Sequence, residues 1–317
     1  MLTIILLIVG FVILIKGADM LVDGAVALAR NFGISDIVIG LTIVSFGTSA
    51  PELIVNLIAS LKGNSEIAVG NILGSNIVNI LFILGISAVI FPLSVKENTT
   101  WKEIPFALLS AVVVLFLGND IVFGGRGDST LSLGDGLVLL SFFAIFMYYI
   151  ISISKEDADQ APVESGMKVS KAILFIAIGL TGLIFGGKWI VDGAVTMAQS
   201  LGVSQSLIGL TIVAVGTSLP ELATSAVAAY KKNTDIAIGN VVGSNIFNMF
   251  WILGISSIIN PIPVLARSDF DFSVNILASI LLFAFLFIGK KHILQRWQGA
   301  AFILCYFAYV SYLIYLG

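Results

Sequence analysis

Residues 20–92 and 189–261 align at a constant offset of 169 with 39 identities in 73 positions and no gap. A self-match of that length makes the half-chain the structural unit, and any fold must build the same segment twice. The segment is apolar. Hydrophobic residues make up 58% of the 317 positions and charged residues 11%, against about 25% charged in an average soluble domain, so the chain belongs in a membrane. About 20 apolar residues cross a bilayer as a helix. The apolar runs separate into ten such spans, near 3–29, 36–61, 67–92, 103–118, 134–152, 171–199, 205–229, 236–260, 272–289 and 296–316.

Each half therefore holds five spans. With an odd number per half, a second copy of the same internal order enters the membrane upside down. The expected architecture is an all-α polytopic membrane protein, ten transmembrane helices in a 5+5 inverted-topology repeat. Residues 1–152 form the first repeat, 153–170 a cytoplasmic linker and 171–317 the second repeat. The linker region carries Lys155, Glu156, Asp157, Asp159, Glu164 and Lys168 around Pro162; it lacks the glycine turn and distal glutamate of a calcium-binding loop. The first apolar run begins at Leu2 with no basic residue ahead of it and no small-residue cleavage pattern, which reads as a retained helix.

Orientation follows from the loop cations, because cytoplasmic loops are enriched in Lys and Arg. With the N-terminus outside, the inner loops hold eleven (Arg30, Lys96, Lys102, Lys155, Lys168, Lys171, Lys231, Lys232, Lys290, Lys291, Arg296) and the outer loops three (Lys62, Arg126, Arg267). Both termini are therefore expected to be extracellular. Lys16 and Lys188 lie inside long spans, and their neighbours Asp19, Asp23 and Asp192 are expected to be structural, either pairing with them or sitting near an interface.

The repeat carries its chemistry in two stretches. The first is Val44-Ser45-Phe46-Gly47-Thr48-Ser49-Ala50-Pro51-Glu52-Leu53, copied as Val213-Ala214-Val215-Gly216-Thr217-Ser218-Leu219-Pro220-Glu221-Leu222. A carboxylate at bilayer depth costs roughly 2.5 to 3.5 kcal/mol on insertion scales and reads as functional. Pro51 offers no N–H to the carbonyl of Gly47, so the helix is expected to kink or open between Ser45 and Pro51. Such breaks persist in hydrocarbon only where buried or facing a polar cavity. The second stretch places Asn71, Ser75 and Asn79 at i, i+4 and i+8, with Asn240, Ser244 and Asn248 as the copy. Gly70, Gly74, Gly239 and Gly243 add the small-xxx-small spacing that lets helices approach. Packing alone would explain Gly, Ser and Asn, but not two glutamates beside two prolines.

All of these side chains offer oxygen, the donor preferred by hard cations such as calcium, and no imidazole or thiolate accompanies them for zinc or copper. Two carboxylates about 6 Å apart at an effective dielectric near 20 repel by roughly 3 kcal/mol. One divalent ion, sodium ions or protons would each relieve that, and ions competing for one carboxylate pair can be exchanged. Other classes fit less well. The single Cys305 excludes an intramolecular disulfide, and the single His292, among basic loop residues, is expected to be solvated rather than a catalytic base. No nucleic-acid patch, enzyme site or cofactor motif is present. A passive channel could use the same oxygens as a filter, and a scaffold would show no ion dependence.

Gly-Thr-Ser-x-Pro-Glu followed about 23 residues later by Gly-Ser-Asn-x-x-Asn, present twice, resembles the α-repeats of the calcium/cation antiporter superfamily, in its sodium/calcium exchanger branch of prokaryotic type. The resemblance implies exchange of sodium for calcium across the cell membrane (plasma or inner) by alternating access, with calcium and sodium as transported ions, the lipid bilayer as surroundings, no cofactor and a monomeric chain. Proton-coupled or potassium-dependent exchange is the alternative, and Asn at 248 departs from the Asp that some family members carry there, potassium-dependent ones included. Carried over by residue, Glu52 and Glu221 hold calcium with the carbonyls of Thr48 and Thr217. Ser75, Ser218 and Glu52 with the carbonyl of Ala214 form an outer sodium site. Ser49, Ser244 and Glu221 with the carbonyl of Ser45 form an inner one, and Asn79 and Asn248 border the centre. The resemblance also implies that the first and sixth helices slide past the remaining bundle.

Overall fold

A computed structural model describes residues 2–63, 66–119, 129–158, 166–200, 214–265 and 268–316. Its helices are α1 Leu2–Phe32, α2 Asp36–Thr48, α3 Ala50–Leu61, α4 Ala68–Ile90, α5 Thr99–Gly118 and α6 Leu133–Ala158 in the first half. The second half holds α7 Val169–Ser200, α8 Ala214–Gly216, α9 Leu219–Tyr230, α10 Thr234–Ile259, α11 Ser268–Phe285 and α12 Arg296–Leu316. Among the described residues eight helices are long and apolar enough to cross a membrane, and α2 with α3, bent by 48° at Ser49, makes a ninth. Of the span expected at 205–229, residues 205–213 lie outside the described residues, as do the outer-loop Arg126 and Arg267.

The helices sort by burial. The most apolar windows of α4 and α10 are each 78% buried, against 22 to 33% for the other long helices, so α4 and α10 lie at the centre and the other long helices surround them. On α1 Ile5, Ile8, Val12 and Ile15 are among the exposed positions and form an apolar stripe at helical spacing suited to acyl chains. Both central helices change pitch at the same place. π-helical turns run over Val78–Ile83 and Phe247–Ile252, and they contain Asn79 and Asn248. Such turns recur at functional positions in helices.

Two short antiparallel strand pairs, not expected from the sequence, tie the connections together. β1 Leu93–Ser94 pairs with β4 Ile293–Leu294 at one end of the bundle, and β2 Thr130–Leu131 pairs with β3 Ile262–Pro263 at the other. The β1–β4 end also holds the Lys96–Asp235 ion pair at 2.8 Å, the bond from Asn233 to Asp36 at 2.8 Å and that from Asn31 to the Met167 carbonyl at 2.9 Å. These connections are the ones rich in Lys and Arg.

His292 is not merely solvated. It sits half-buried at φ +58 with its Nδ1 2.9 Å from the Thr100 hydroxyl, and its carbonyl accepts the Val95 N–H at 2.8 Å. The histidine thus finishes the β1–β4 link.

Asp19 and Asp23 pair with neither Lys16 nor Lys188. One helical turn apart on α1, they share Lys231, just past α9, at 2.6 and 2.7 Å. Partial burial opposes the charge on Lys231, but hydrogen bonds and attraction from the two aspartates outweigh it and raise its pKa above the ordinary lysine value. A raised pKa means the stabilisation is full at neutral pH and is lost only as pH climbs past about 10.4 and through the raised value. With the carboxylates 41 and 49% exposed, Lys231→Met is expected to cost about 1 kcal/mol, read as a lower unfolding temperature at pH 7 that converges with the parent chain at strongly alkaline pH.

α1 and α7 pack antiparallel along a seam of small residues spaced by seven. A Cβ on Gly10 would lie 3.0 Å from the Gly186 carbonyl oxygen, one on Gly17 2.8 Å from that of Gly179, and one on Gly24 2.8 Å from that of Ala172. Backbone meets backbone there, the closest approach two helices can make. The expected glycine contacts of α10 are also present: Gly239 lies against Gly40, and Gly243 against Leu41 and Ser45.

Candidate ion-binding site

The site begins at the break between α2 and α3. Pro51 falls in the first turn of α3, where its missing N–H belongs to the unpaired group of any helix start. Ser49, just ahead of it, has φ −82 and ψ 9, and Ser218 repeats this at φ −88 and ψ 7. Glu52 and Glu221 thereby stand in the first turns of α3 and α9, where the helix dipole favours a carboxylate.

Ser-x-x-Glu at a helix start is the pattern of a capping box, yet neither serine caps its own helix. Ser49 Oγ donates instead to Glu221 Oε1 at 2.8 Å, and Ser218 Oγ to Glu52 Oε1 at 3.3 Å. Ser75 Oγ, from α4, joins the second group at 3.2 Å from Glu52 Oε1 and 3.0 Å from Ser218 Oγ. Each repeat lends a hydroxyl to the other's carboxylate, and the two carboxylates lie within electrostatic reach of each other. Both glutamates are fully buried.

Half of each carboxylate remains over. Among the described residues, Glu52 Oε2, Glu221 Oε2, Asn79 Oδ1, Asn248 Oδ1, Thr217 Oγ1 and Ser244 Oγ are buried without a hydrogen bond of good geometry, although the Thr217 and Ser244 hydroxyls stand near Glu52 and Glu221 respectively. A buried polar atom left unsatisfied costs about 1 to 3 kcal/mol, and more if charged. Six such oxygens on the repeated motifs are of the carboxylate and neutral kinds from which hard-cation coordination is made.

The remaining sequence-derived residues divide. Thr48 Oγ1 is committed to structure, donating to Asn240 Oδ1 at 3.0 Å with the Ser45 carbonyl sharing the same proton more weakly at 3.3 Å. The Ser45 carbonyl also accepts the Ser49 N–H at 3.0 Å, so it is not freed by the break. In the second repeat the corresponding Ser218 N–H turns to Val215 at 3.1 Å, which spares the Ala214 carbonyl. Asn240 does not face the centre: its amide donates to the Glu221 carbonyl at 3.3 Å and to Ser225 at 2.9 Å. Sequence reading missed Asn56, whose amide holds the Glu52 carbonyl at 2.7 Å, and its equivalent Ser225. It also missed Asn76 and Asn245, although both stand in the repeated Gly-Ser-Asn triplet.

A family profile described as sodium/calcium exchanger protein matches residues 2–152 and 171–315. The chain belongs to the sodium/calcium exchanger family. Among its relatives, the putative antiporter CaxA of Alkalimonas amylolytica is 37% identical over 322 residues, covering 98% of each chain. The sodium/calcium exchanger MaX1 of Methanosarcina acetivorans is 31% identical over 346 residues, again covering 98% of each. The solved structure of the exchanger NCX_Mj soaked with sodium and strontium superposes with a TM-score of 0.84 at 33% identity, over 98% of both chains. As a sodium/calcium exchanger family member, the chain is a multi-pass cation antiporter of the cell membrane with the mostly helical fold of NCX_Mj. It is a transporter rather than an enzyme, and its ions are substrates, not cofactors.

Proposed function

We propose that this protein extrudes calcium in exchange for sodium by alternating access, with Glu52 and Glu221 as the shared centre. The observation that carries the reading is the reciprocal pairing of Ser49 with Glu221 and of Ser218 and Ser75 with Glu52. It leaves one oxygen of each carboxylate for a central divalent ion and builds a hydroxyl–carboxylate group on either side for monovalent ones. Calcium takes Glu52 and Glu221 with the carbonyls of Thr48 and Thr217. The outer sodium site comprises Ser75, Ser218, Glu52 and the Ala214 carbonyl. The inner one comprises Ser49, Ser244, Glu221 and the Ser45 carbonyl, where an ion displaces the weak contact from Thr48. Asn79 and Asn248 border the centre. Every ligand comes from one chain, which supports a monomeric transport unit.

The same reading makes 1–152 and 171–317 two inverted five-helix repeats joined by a cytoplasmic linker at 153–170, ten spans with both termini extracellular. Segregation of the cation-rich connections to the β1–β4 end supports that orientation. MaX1, named as a sodium/calcium exchanger, supports the sodium coupling.

The deciding experiment reconstitutes the full chain in vesicles and follows calcium uptake under separate sodium, potassium and proton gradients. Uphill calcium movement driven by an outward sodium gradient alone is the expected result. Uptake that ignores sodium and follows the pH gradient would establish proton coupling instead, and purely downhill flux would make the protein a passive pore.

A further inference from the structure

Behind the candidate centre, four buried asparagines form a closed network about the repeat axis. Asn76 Nδ2 donates to the backbone carbonyl of Asn245 at 3.1 Å, and Asn245 Nδ2 to that of Asn76 at 3.4 Å. A backbone carbonyl only accepts, so each of these amides must turn its NH₂ toward it and its Oδ1 away. Asn245 Oδ1 then accepts from Asn79 Nδ2 at 2.9 Å, and Asn76 Oδ1 accepts from Asn248 Nδ2 at 3.0 Å. Asn79 and Asn248 must therefore show their NH₂ groups to the network. Their Oδ1 atoms are the ones left buried and unpartnered. Two backbone carbonyls thus dictate the orientation of all four amides.

We propose that Asn76 and Asn245 are positioning residues for cation binding, which lock the Asn79 and Asn248 amides with their carbonyl oxygens toward the ions. The inference rests on the ion-site reading above and adds residues that touch no ion. An unlocked amide can turn its NH₂ to a cation, which repels rather than coordinates it. In this chain the network favours amides at 79 and 248, since an ionised Asp there would set two acceptors against each other. The centre is thereby held to the two charges of Glu52 and Glu221, a number that one divalent ion or two monovalent ions neutralise.

The test uses the purified full chain, with calcium-induced thermal stabilisation in detergent and the calcium concentration for half-maximal flux in vesicles as readouts. Asn245→Leu is expected to raise that concentration about tenfold, equivalent to about 1.4 kcal/mol. Asn79→Asp alone is expected to impair calcium binding as well. Combined, Asn79→Asp restores the Asn245→Leu protein toward the parent value, because a carboxylate shows oxygen whichever way it turns. Two substitutions in a merely structural network would instead compound. An unchanged half-saturation in Asn245→Leu, or a double variant no better than Asn245→Leu, overturns the proposal. If Asn245→Leu does not fold, Asn76→Leu with Asn248→Asp reads the same network from its other side, and normal calcium binding by Asn79→Asp alone is sufficient to refute it. Glu52→Gln separates the two levels. A normal calcium response in Glu52→Gln removes the ion-site reading itself, whereas its loss beside normal Asn variants removes only this inference.

Discussion

Glu52→Gln and Glu221→Gln are each expected to reduce calcium flux by about a hundredfold or more, with both proteins still folding and inserting. The substitution is isosteric and keeps Oε1 as an acceptor, so the bonds from Ser75 and Ser218 to Glu52, and from Ser49 to Glu221, remain available. What changes is charge. A divalent ion between two carboxylates becomes an ion beside one, and losing a single charge-assisted contact worth about 3 kcal/mol already lowers affinity by roughly a hundredfold. The empty state gains at the same time, because two buried carboxylates no longer repel. The variants are therefore expected to be more heat-stable than the parent without calcium and to lose the stabilisation that calcium gives. Near-normal flux from either variant in reconstituted vesicles would refute the assignment of the centre.

The internal repeat makes much of this site legible in the sequence alone. Pro and Glu in an apolar run signal a break and a charge, and their copy 169 residues on signals a partner. The bend at Ser49 is where Pro51 requires it, in the first turn after the interruption. Residues whose partners lie in the other repeat were less legible. Ser49 and Ser218 have the local pattern of helix caps, and only tertiary proximity diverts their hydroxyls to the opposite carboxylate. The i, i+4, i+8 stripe selected Asn71 and Asn240 over Asn76 and Asn245, because periodicity reports a shared face and not what lies across it. Asn240 instead holds Thr48 and the Glu221 carbonyl.

The charged residues carry the same lesson. Asp19 and Asp23 suggested local pairing with Lys16, whereas Lys231, 208 positions from Asp23, takes both. That contact clasps α1 to the end of the α9 helix, whose other end carries Glu221. The two repeats differ at this point. The position equivalent to Asp19 is Lys188, so the second copy cannot form the same three-charge cluster. Identity of the motifs therefore coexists with different fastening of the long helices at the two faces.

The α1–α7 seam supplies the second large effect. Gly17→Leu is expected to lower the unfolding temperature by several degrees and to suppress transport, with Gly179→Leu behaving alike. The Cβ of residue 17 would stand 2.8 Å from the Gly179 oxygen and 2.9 Å from the Leu183 nitrogen, and that of residue 179 would stand 2.7 Å from the Gly17 oxygen and the Leu21 nitrogen. Main-chain atoms in two long helices cannot step aside as a side-chain tip can, so the helices must part. Overpacking typically costs about 1 to 3 kcal/mol, and parting forfeits contact along the whole seam from Gly10 to Gly24. Gly134→Ala is the matched comparison, because its nearest contact is the Ser132 hydroxyl at an ordinary 3.6 Å, and it should leave both readouts unchanged. If Gly17→Leu transports and melts like Gly134→Ala, then α1 and α7 do not depend on this close approach, and the seam would be no more than one of several tolerated packings.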